Sequence, residues 1–141
     1  MAFDIPIGAI TIFCEASNQP PATRRDVASV ILNRARDGRW GKTVAAVCLK
    51  RMQFSEWNAD PIDNADLERA ASAADDNPIM ADCAQAMTDT ISGVLQDETG
   101  GALFYYEAAM KSPPSWAATM TALGQRGPFL FFTDRPPSTG I

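Results

Sequence analysis

The sequence predicts a mainly α-helical (α+β) domain with a small β element near its carboxyl end. Up to about residue 95, apolar residues recur at helical spacing, whereas short runs rich in aromatic residues follow residue 100. The chain has 141 residues, 46% of them hydrophobic, which suits one domain with a real core. We therefore expect residues 1–141 to form a single domain, with a loose tail over about 136–141.

Periodicity and capping signals predict the helices. A first helix begins near Asp4, a candidate N-cap, and ends near Ala16 before a Pro-Pro pair. The last and most regular helix begins at Asn77-Pro78, continues through Leu95 and is expected to end at Gly100-Gly101. Between them, one helix is expected to start after Pro21, with Thr23 or Ala22 near its cap, and to end at Asp37-Gly38. Further helices are expected over 43–49 and, briefly, over about 65–74.

Two aromatic runs predict the β element. The segments 103–106 and 129–132 are expected to be short strands or packed loops. A Pro-Pro-Ser-Trp turn lies between them, and we interpret its Trp116 as structural.

The absence of histidine restricts the possible chemistry. Without it the chain has neither a Ser-His nor a Cys-His nucleophilic pair, and no imidazole for zinc. The three cysteines, Cys14, Cys48 and Cys83, form no C-x-x-C pair and lie among apolar residues. The sequence leaves open whether two of them form a disulfide. Any catalysis is expected to use carboxylates, with no metal and no cofactor.

The charge pattern argues against nucleic-acid binding. The formal net charge is −5 and there is no run of basic residues. We interpret the densest basic cluster as the solvated face of a helix; its members are Arg24, Arg25, Arg34, Arg36 and Arg39.

The amino terminus predicts synthesis in the cytoplasm without an ordinary export signal. It lacks a positively charged region, and the apolar stretch 5–13 is too short for a membrane span. We expect no stable insertion into a membrane.

Glu15 is the candidate general acid. It lies in the last turn of the first predicted helix, at the negative end of the helix dipole and among apolar neighbours. Both effects disfavour the ionised form, and glycosidic cleavage requires a carboxyl group that keeps its proton. Position alone nevertheless favours an ordinary exposed Glu at a frayed helix end.

Further motifs appear along the chain in a fixed order. They are Cys14-Glu15-Ala16, the helix segment 26–34 ending in Asn33-Arg34, Gln53-Phe54-Ser55 followed by Trp57, Gly101 to Tyr105, Pro114-Ser115-Trp116, and the segment 124–132. Together they resemble the cell-wall hydrolase family of the spore-cortex-lytic enzyme SleB. Each motif is weak alone, but their shared order over roughly residues 9–132 is specific.

The resemblance implies a lysozyme-like fold and a single catalytic domain. It further implies cleavage between N-acetylmuramic acid and N-acetylglucosamine in peptidoglycan by a lytic transglycosylase, which forms a 1,6-anhydro end. That reaction needs one essential carboxylate, whereas ordinary glycoside hydrolysis uses two. The match of Cys14-Glu15-Ala16 to the family's Gly-Glu-Ala gives Glu15 the acid/base role.

Six residues are candidates for substrate binding. Gln53 and Ser55 offer hydrogen bonds to sugar groups, with Phe54 as the anchor of their loop. Trp57, Tyr105 and Tyr106 offer rings that stack on sugars. The alternative for residues 53–55 is an ordinary buried turn, and the alternative for the three aromatic residues is a place in the core. Asn33 and Arg34 are expected to brace a helix against a loop.

The chain departs from the family pattern at four places. Cys14 replaces the usual Gly, Ser17 stands where Arg is frequent, and Tyr106 takes a place often held by His. The segment 125–128 is also slightly longer than usual. These departures affect fine substrate contacts and leave the candidate acid in place.

Two rival functions stay open. One is a hydrolytic muramidase on the same fold that uses Glu56, Asp60 or Asp63 as its second carboxylate. The other is a non-catalytic glycan-binding or virion protein. For the leading hypothesis we expect a monomeric phage endolysin, released through a holin and acting on the host wall. A bacterial enzyme from a prophage or a secretion system is the alternative source.

Overall fold

The computed structural model describes residues 3–50, 69–70, 72–73 and 77–135. In these residues four helices precede a three-stranded sheet. The helices are α1 (Asp4–Ala16), α2 (Pro21–Asp37), α3 (Val44–Leu49) and α4 (Pro78–Ser92). The strands are β1 (Phe104–Glu107), β2 (Thr121–Arg126) and β3 (Phe129–Thr133), with a 3-10 helix at Ser115–Thr119 between β1 and β2. The predicted mainly helical architecture with a small carboxyl-terminal sheet is confirmed.

The start of α1 differs from the prediction in its cap. Phe3 occupies the N-cap position, and the Asp4 carboxylate instead accepts a hydrogen bond from the backbone N–H of Ala45, at 3.0 Å. Thr43 caps the same first turn of α3, since its hydroxyl accepts from the N–H of Ala46 at 3.1 Å. Asp4 therefore joins α1 to the start of α3 and does not cap its own helix.

Helix α2 buries two of its arginines, and this corrects the prediction that they form a solvated face. Arg24 and Arg34 are each only 6% exposed, so they do not belong to a solvated face. The Arg24 Nε donates to the Asp82 carboxylate on α4 at 2.6 Å, and the Arg34 Nε donates to the backbone carbonyl of Leu103 at 2.7 Å. A buried guanidinium needs such partners, because an unpaired buried charge is costly.

Helix α4 ends earlier than predicted. Gly93 adopts a left-handed conformation (φ 82°), which glycine tolerates without steric cost, and ends the helix after Ser92. Val94 then points outward, 72% exposed, and Leu95 lies beyond the helix. Of the brief helix predicted over 65–74, Arg69 and Ala70 are helical, while residues 65–68 and the tail 136–141 lie outside the described ranges.

The sheet has the strand order β1-β3-β2, and both pairings are antiparallel. Tyr105 pairs with Phe131 in the register of β1 with β3. Because side chains alternate between the two faces of a strand, Tyr105 shares one face with Phe129 and Phe131. Tyr106 lies on the opposite face. This alternation decides which aromatic ring reaches the helices.

The hydrophobic core joins the four helices to the inner face of the sheet. At Gly8 on α1, a Cβ atom would lie only 2.6 Å from the Met87 sulfur of α4, so glycine permits the close approach of these helices. Cys14, Cys48 and Cys83 are free thiols, and the latter two are buried. Among the helices of the described ranges, none is long and apolar enough to cross a bilayer.

Candidate active site

The structure brings Glu15 and Tyr105 into direct contact. Glu15 lies in the last turn of α1, and the Tyr105 hydroxyl on β1 donates a hydrogen bond to its Oε1 atom. Both residues are partly buried. Two sequence-predicted site residues that lie 90 positions apart therefore meet where the first helix approaches the sheet.

Neighbouring rings hold Tyr105 in place. Its ring centroid lies 4.7 Å from that of Phe129 and 5.8 Å from that of Phe131, both on β3 and both buried. Aromatic rings packed at such distances restrict one another's orientation. The hydroxyl of Tyr105 is thus presented to Glu15 from a fixed ring.

The predicted brace by Asn33 and Arg34 is confirmed. The Asn33 side-chain amide donates to the carbonyl of Ala102 at 3.0 Å and to the Asp97 carboxylate at 2.9 Å. The Arg34 Nε donates to the carbonyl of Leu103 at 2.7 Å. Both residues of α2 therefore hold the segment that leads directly into β1 and Tyr105.

Asp97 organises the turn before that segment, and sequence analysis missed it. Its carboxylate accepts from the N–H and the hydroxyl of Thr99 and from the N–H of Gly101, at 2.7, 2.6 and 2.9 Å. Burial acts to raise the pKa of Asp97, but the hydrogen bonds from Thr99 and Asn33 outweigh it and lower the pKa. The sequence Asp-x-Thr-Gly-Gly was the signal that could have predicted this turn. In turns, an Asp side chain often accepts hydrogen bonds from backbone N–H groups a few residues further on. Glycine readily adopts positive φ angles, which are 78° at Gly100 and 86° at Gly101.

Arg34 combines burial with aromatic contacts. Its guanidinium carbon lies 5.1 Å from the ring centroid of Trp40 and 5.4 Å from that of Phe104. Burial lowers the pKa of Arg34, and the negative charges that Tyr105 and Glu15 carry when they are ionised act in the opposite direction. The cation therefore belongs to the same electrostatic environment as the Glu15–Tyr105 pair.

Tyr106 is placed differently from Tyr105. Its ring stacks on Phe132 at a centroid distance of 5.4 Å and meets the edge of Trp116 at 5.8 Å. Trp116 also packs against Phe104 at 5.4 Å, in line with its predicted structural role. Tyr106 is partly exposed, and its contact with substrate stays a prediction.

Several candidates lie outside the described residues. The substrate-binding candidates among them are Gln53, Phe54, Ser55 and Trp57. The same holds for the possible second carboxylates, Glu56, Asp60 and Asp63. All of these assignments stay predictions.

The chain has the fold of two solved structures. It is similar to the catalytic domain of the SleB protein of Bacillus cereus, with a TM-score of 0.72 and 22% identity over 94% of this chain and 91% of that chain. It is also similar to the catalytic domain of the germination-specific lytic transglycosylase SleB from Bacillus anthracis, with a TM-score of 0.71 and 23% identity over 92% of this chain and 93% of that one. The predicted lysozyme-like fold is confirmed.

Sequence comparison gives the family. The model of the Cell Wall Hydrolase family matches residues 18–132, and the chain therefore belongs to that family, as the motifs predicted. It is an enzyme that degrades peptidoglycan. No curated protein is significantly similar to it in sequence. The family match begins just after Glu15, so the catalytic role of this residue rests on other grounds.

Proposed function

We propose that the chain is a lytic transglycosylase that cleaves the bond between N-acetylmuramic acid and N-acetylglucosamine, with Glu15 as its acid/base. The observation that carries this proposal is the hydrogen bond from Tyr105 to Glu15 within a cell wall hydrolase. The name of the similar Bacillus anthracis enzyme, a lytic transglycosylase, supports the choice of reaction.

The hydrogen bond distinguishes the two carboxyl oxygens of Glu15. In the proposed acid, Oε1 accepts from the Tyr105 hydroxyl and the proton lies on Oε2. A general acid must lie within hydrogen-bond reach of the atom that it protonates, and a fixed carboxyl orientation supports that geometry. Tyr105 thus aims the proton-bearing oxygen, while the packing of Phe129 and Phe131 fixes Tyr105.

The reaction needs no residue beyond Glu15 for proton transfer. Oε2 of Glu15 gives its proton to the glycosidic oxygen, and the bond from the muramic acid C1 to that oxygen breaks. The C6 hydroxyl oxygen of the same muramic acid then bonds to C1, and its proton passes to the Glu15 carboxylate. One glycosidic bond is exchanged for one anhydro bond, no water is consumed, and Glu15 regains its proton.

The proposed reaction differs from hydrolysis in the group that attacks the anomeric carbon. Retaining and inverting hydrolases use a pair of carboxylates, one of which acts as nucleophile or activates water. In a transglycosylase the substrate's own hydroxyl fills that role.

Mass spectrometry of the released fragments tests the proposal. Purified peptidoglycan is digested with the enzyme, and a parallel digest with a hydrolytic muramidase gives the reference fragments. A transglycosylase releases fragments one water lighter than the reference, and these resist borohydride reduction because they lack a free reducing end. Fragments of the reference mass that borohydride reduces would show hydrolysis and overturn the proposed reaction.

A further inference from the structure

We propose that Arg34 is a positioning residue of this active site, because its guanidinium fixes the backbone that carries Tyr105 and thereby the orientation of Glu15. The inference rests on the proposed role of Glu15 for its catalytic meaning. Its structural part, the control of Tyr105 by Arg34, can be measured separately.

The backbone of Leu103 is held from two sides. Its carbonyl accepts from the Arg34 Nε at 2.7 Å, and its N–H donates to the carbonyl of Phe132 on β3 at 3.0 Å. Leu103 therefore cannot shift towards the helices or towards the sheet without breaking one of these bonds. Tyr105 follows two residues later in an extended strand, so the position of Leu103 sets the point from which its ring departs.

The surroundings of Arg34 favour a guanidinium over other cations. It is 6% exposed, and its guanidinium contacts the rings of Trp40 and Phe104, which also pack against each other at a centroid distance of 5.5 Å. A guanidinium can contact ring faces and donate hydrogen bonds in its own plane at the same time, whereas a lysine ammonium is a compact, strongly hydrated charge. The site therefore fixes the direction of the Nε–H bond as well as the charge.

Tyrosine NMR tests the structural part without an assay of activity. The chain has two tyrosines, and a Tyr106→Phe background leaves the Cζ signal of Tyr105 alone in a sample with labelled tyrosine. Arg34→Lys, confirmed as folded by circular dichroism, is expected to shift this signal, and so is Glu15→Gln. Arg126→Lys is the matched control, because Arg126 also joins the sheet to α2, through Asp26 at 2.9 Å, but from the far strand β2.

A double-mutant cycle on soluble glycan strands tests the catalytic part. If Arg34 acts through Tyr105, Arg34→Lys lowers kcat by about 10- to 100-fold with little change in KM. In the Tyr105→Phe background the same substitution changes kcat by less than about threefold, because the group that it positions is absent. Arg34→Gln replaces Arg34→Lys in both experiments if the lysine variant does not fold.

Two results would overturn the inference. One is a folded Arg34 variant whose Tyr105 signal is the same as in wild type. The other is an equal loss of kcat with and without the Tyr105 hydroxyl, which would show a general effect on the fold. If Glu15→Gln stays active, the proposed function fails, but the NMR result still decides whether Arg34 controls Tyr105.

Discussion

Tyr105, on the first strand of the sheet, donates its phenolic hydrogen bond to Glu15, in the last turn of the first helix. This bond joins the beginning of the chain to its carboxyl-terminal part, and Asn33 and Arg34 hold the backbone between them. The position of the candidate acid therefore depends on the sheet as well as on its own helix.

Replacement of Tyr105 by Phe is expected to lower kcat on peptidoglycan strands by about 10- to 100-fold. The ring keeps its packing against Phe129 and Phe131, so the fold is preserved, but Oε1 of Glu15 loses its hydrogen-bond donor. Initial rates of glycan release, measured beside thermal unfolding, give the result.

Tyr106→Phe is the matched control for that variant. Tyr106 stacks on Phe132 through its ring, which Phe retains, so a change of less than about threefold is expected. A larger loss in Tyr106→Phe than in Tyr105→Phe would contradict our account of the two residues and would favour a hydrogen bond from the Tyr106 hydroxyl to the substrate.

The carboxyl end of α2 predicts a pH dependence of stability. The Asp37 carboxylate, 8% exposed, accepts from the Nε of Arg135 at 2.8 Å and from that of Arg39 at 2.7 Å. These hydrogen bonds, led by the one from Arg135, hold the pKa of Asp37 well below its usual range. A carboxyl group with a depressed pKa stabilises the fold above its unfolded pKa of about 4, and this stabilisation is lost as the pH falls below that value.

Asp37→Asn is therefore expected to lower Tm at pH 7 by about 3 °C, a modest effect because the arginine partners are partly exposed. The difference from wild type should shrink in melts recorded at successively lower pH below about 4. A deficit in Tm that is the same at every pH would show that the ion pairs are not its cause.

Replacement of Gly8 by Ala is expected to destabilise the packing of α1 against α4. In Gly8→Ala the added methyl group would meet the Met87 sulfur at 2.6 Å and a Val44 methyl at 3.2 Å, and Met87 is fully buried. Overpacking costs about 1–3 kcal/mol, which exceeds the gain in helix propensity of up to about 1 kcal/mol. Urea unfolding should show a net loss of about 1 kcal/mol. The loss should be smaller in a Met87→Ala background, and a stabilised Gly8→Ala would contradict this.

Local signals explain which parts of the fold could be predicted. The Pro-Pro pair before α2, Thr43 at α3 and Asn77 at α4 are caps or breakers that act within a few residues, and these helix starts agree with the structure. The early end of α4 was missed, because the apolar period continues past Gly93 while the backbone does not. Strand β2 was also missed, since its residues have weak β propensity and it is defined by pairing with β3.

Long-range partners explain what the sequence could not predict at the site. Glu15 and Tyr105 were both identified, but only as an acid and a sugar-stacking ring, since nothing local shows that they touch. Arg34 was first grouped with solvated arginines, because its partner carbonyl on Leu103 lies 69 positions further along the chain. A pattern of charges along one helix does not reveal which of them another segment covers.

The most direct test of the central claim is the release of soluble glycan fragments from purified peptidoglycan by Glu15→Gln. Glu98→Gln is its control, since Glu98 is largely exposed and pairs with Arg126 on the far strand. General acid catalysis contributes about 10²- to 10⁴-fold, so Glu15→Gln is expected to lose at least about 100-fold in rate while it keeps the wild-type Tm. Glu98→Gln should keep the wild-type rate. A folded Glu15→Gln that releases fragments as fast as wild type would contradict the assignment of Glu15 as the catalytic acid.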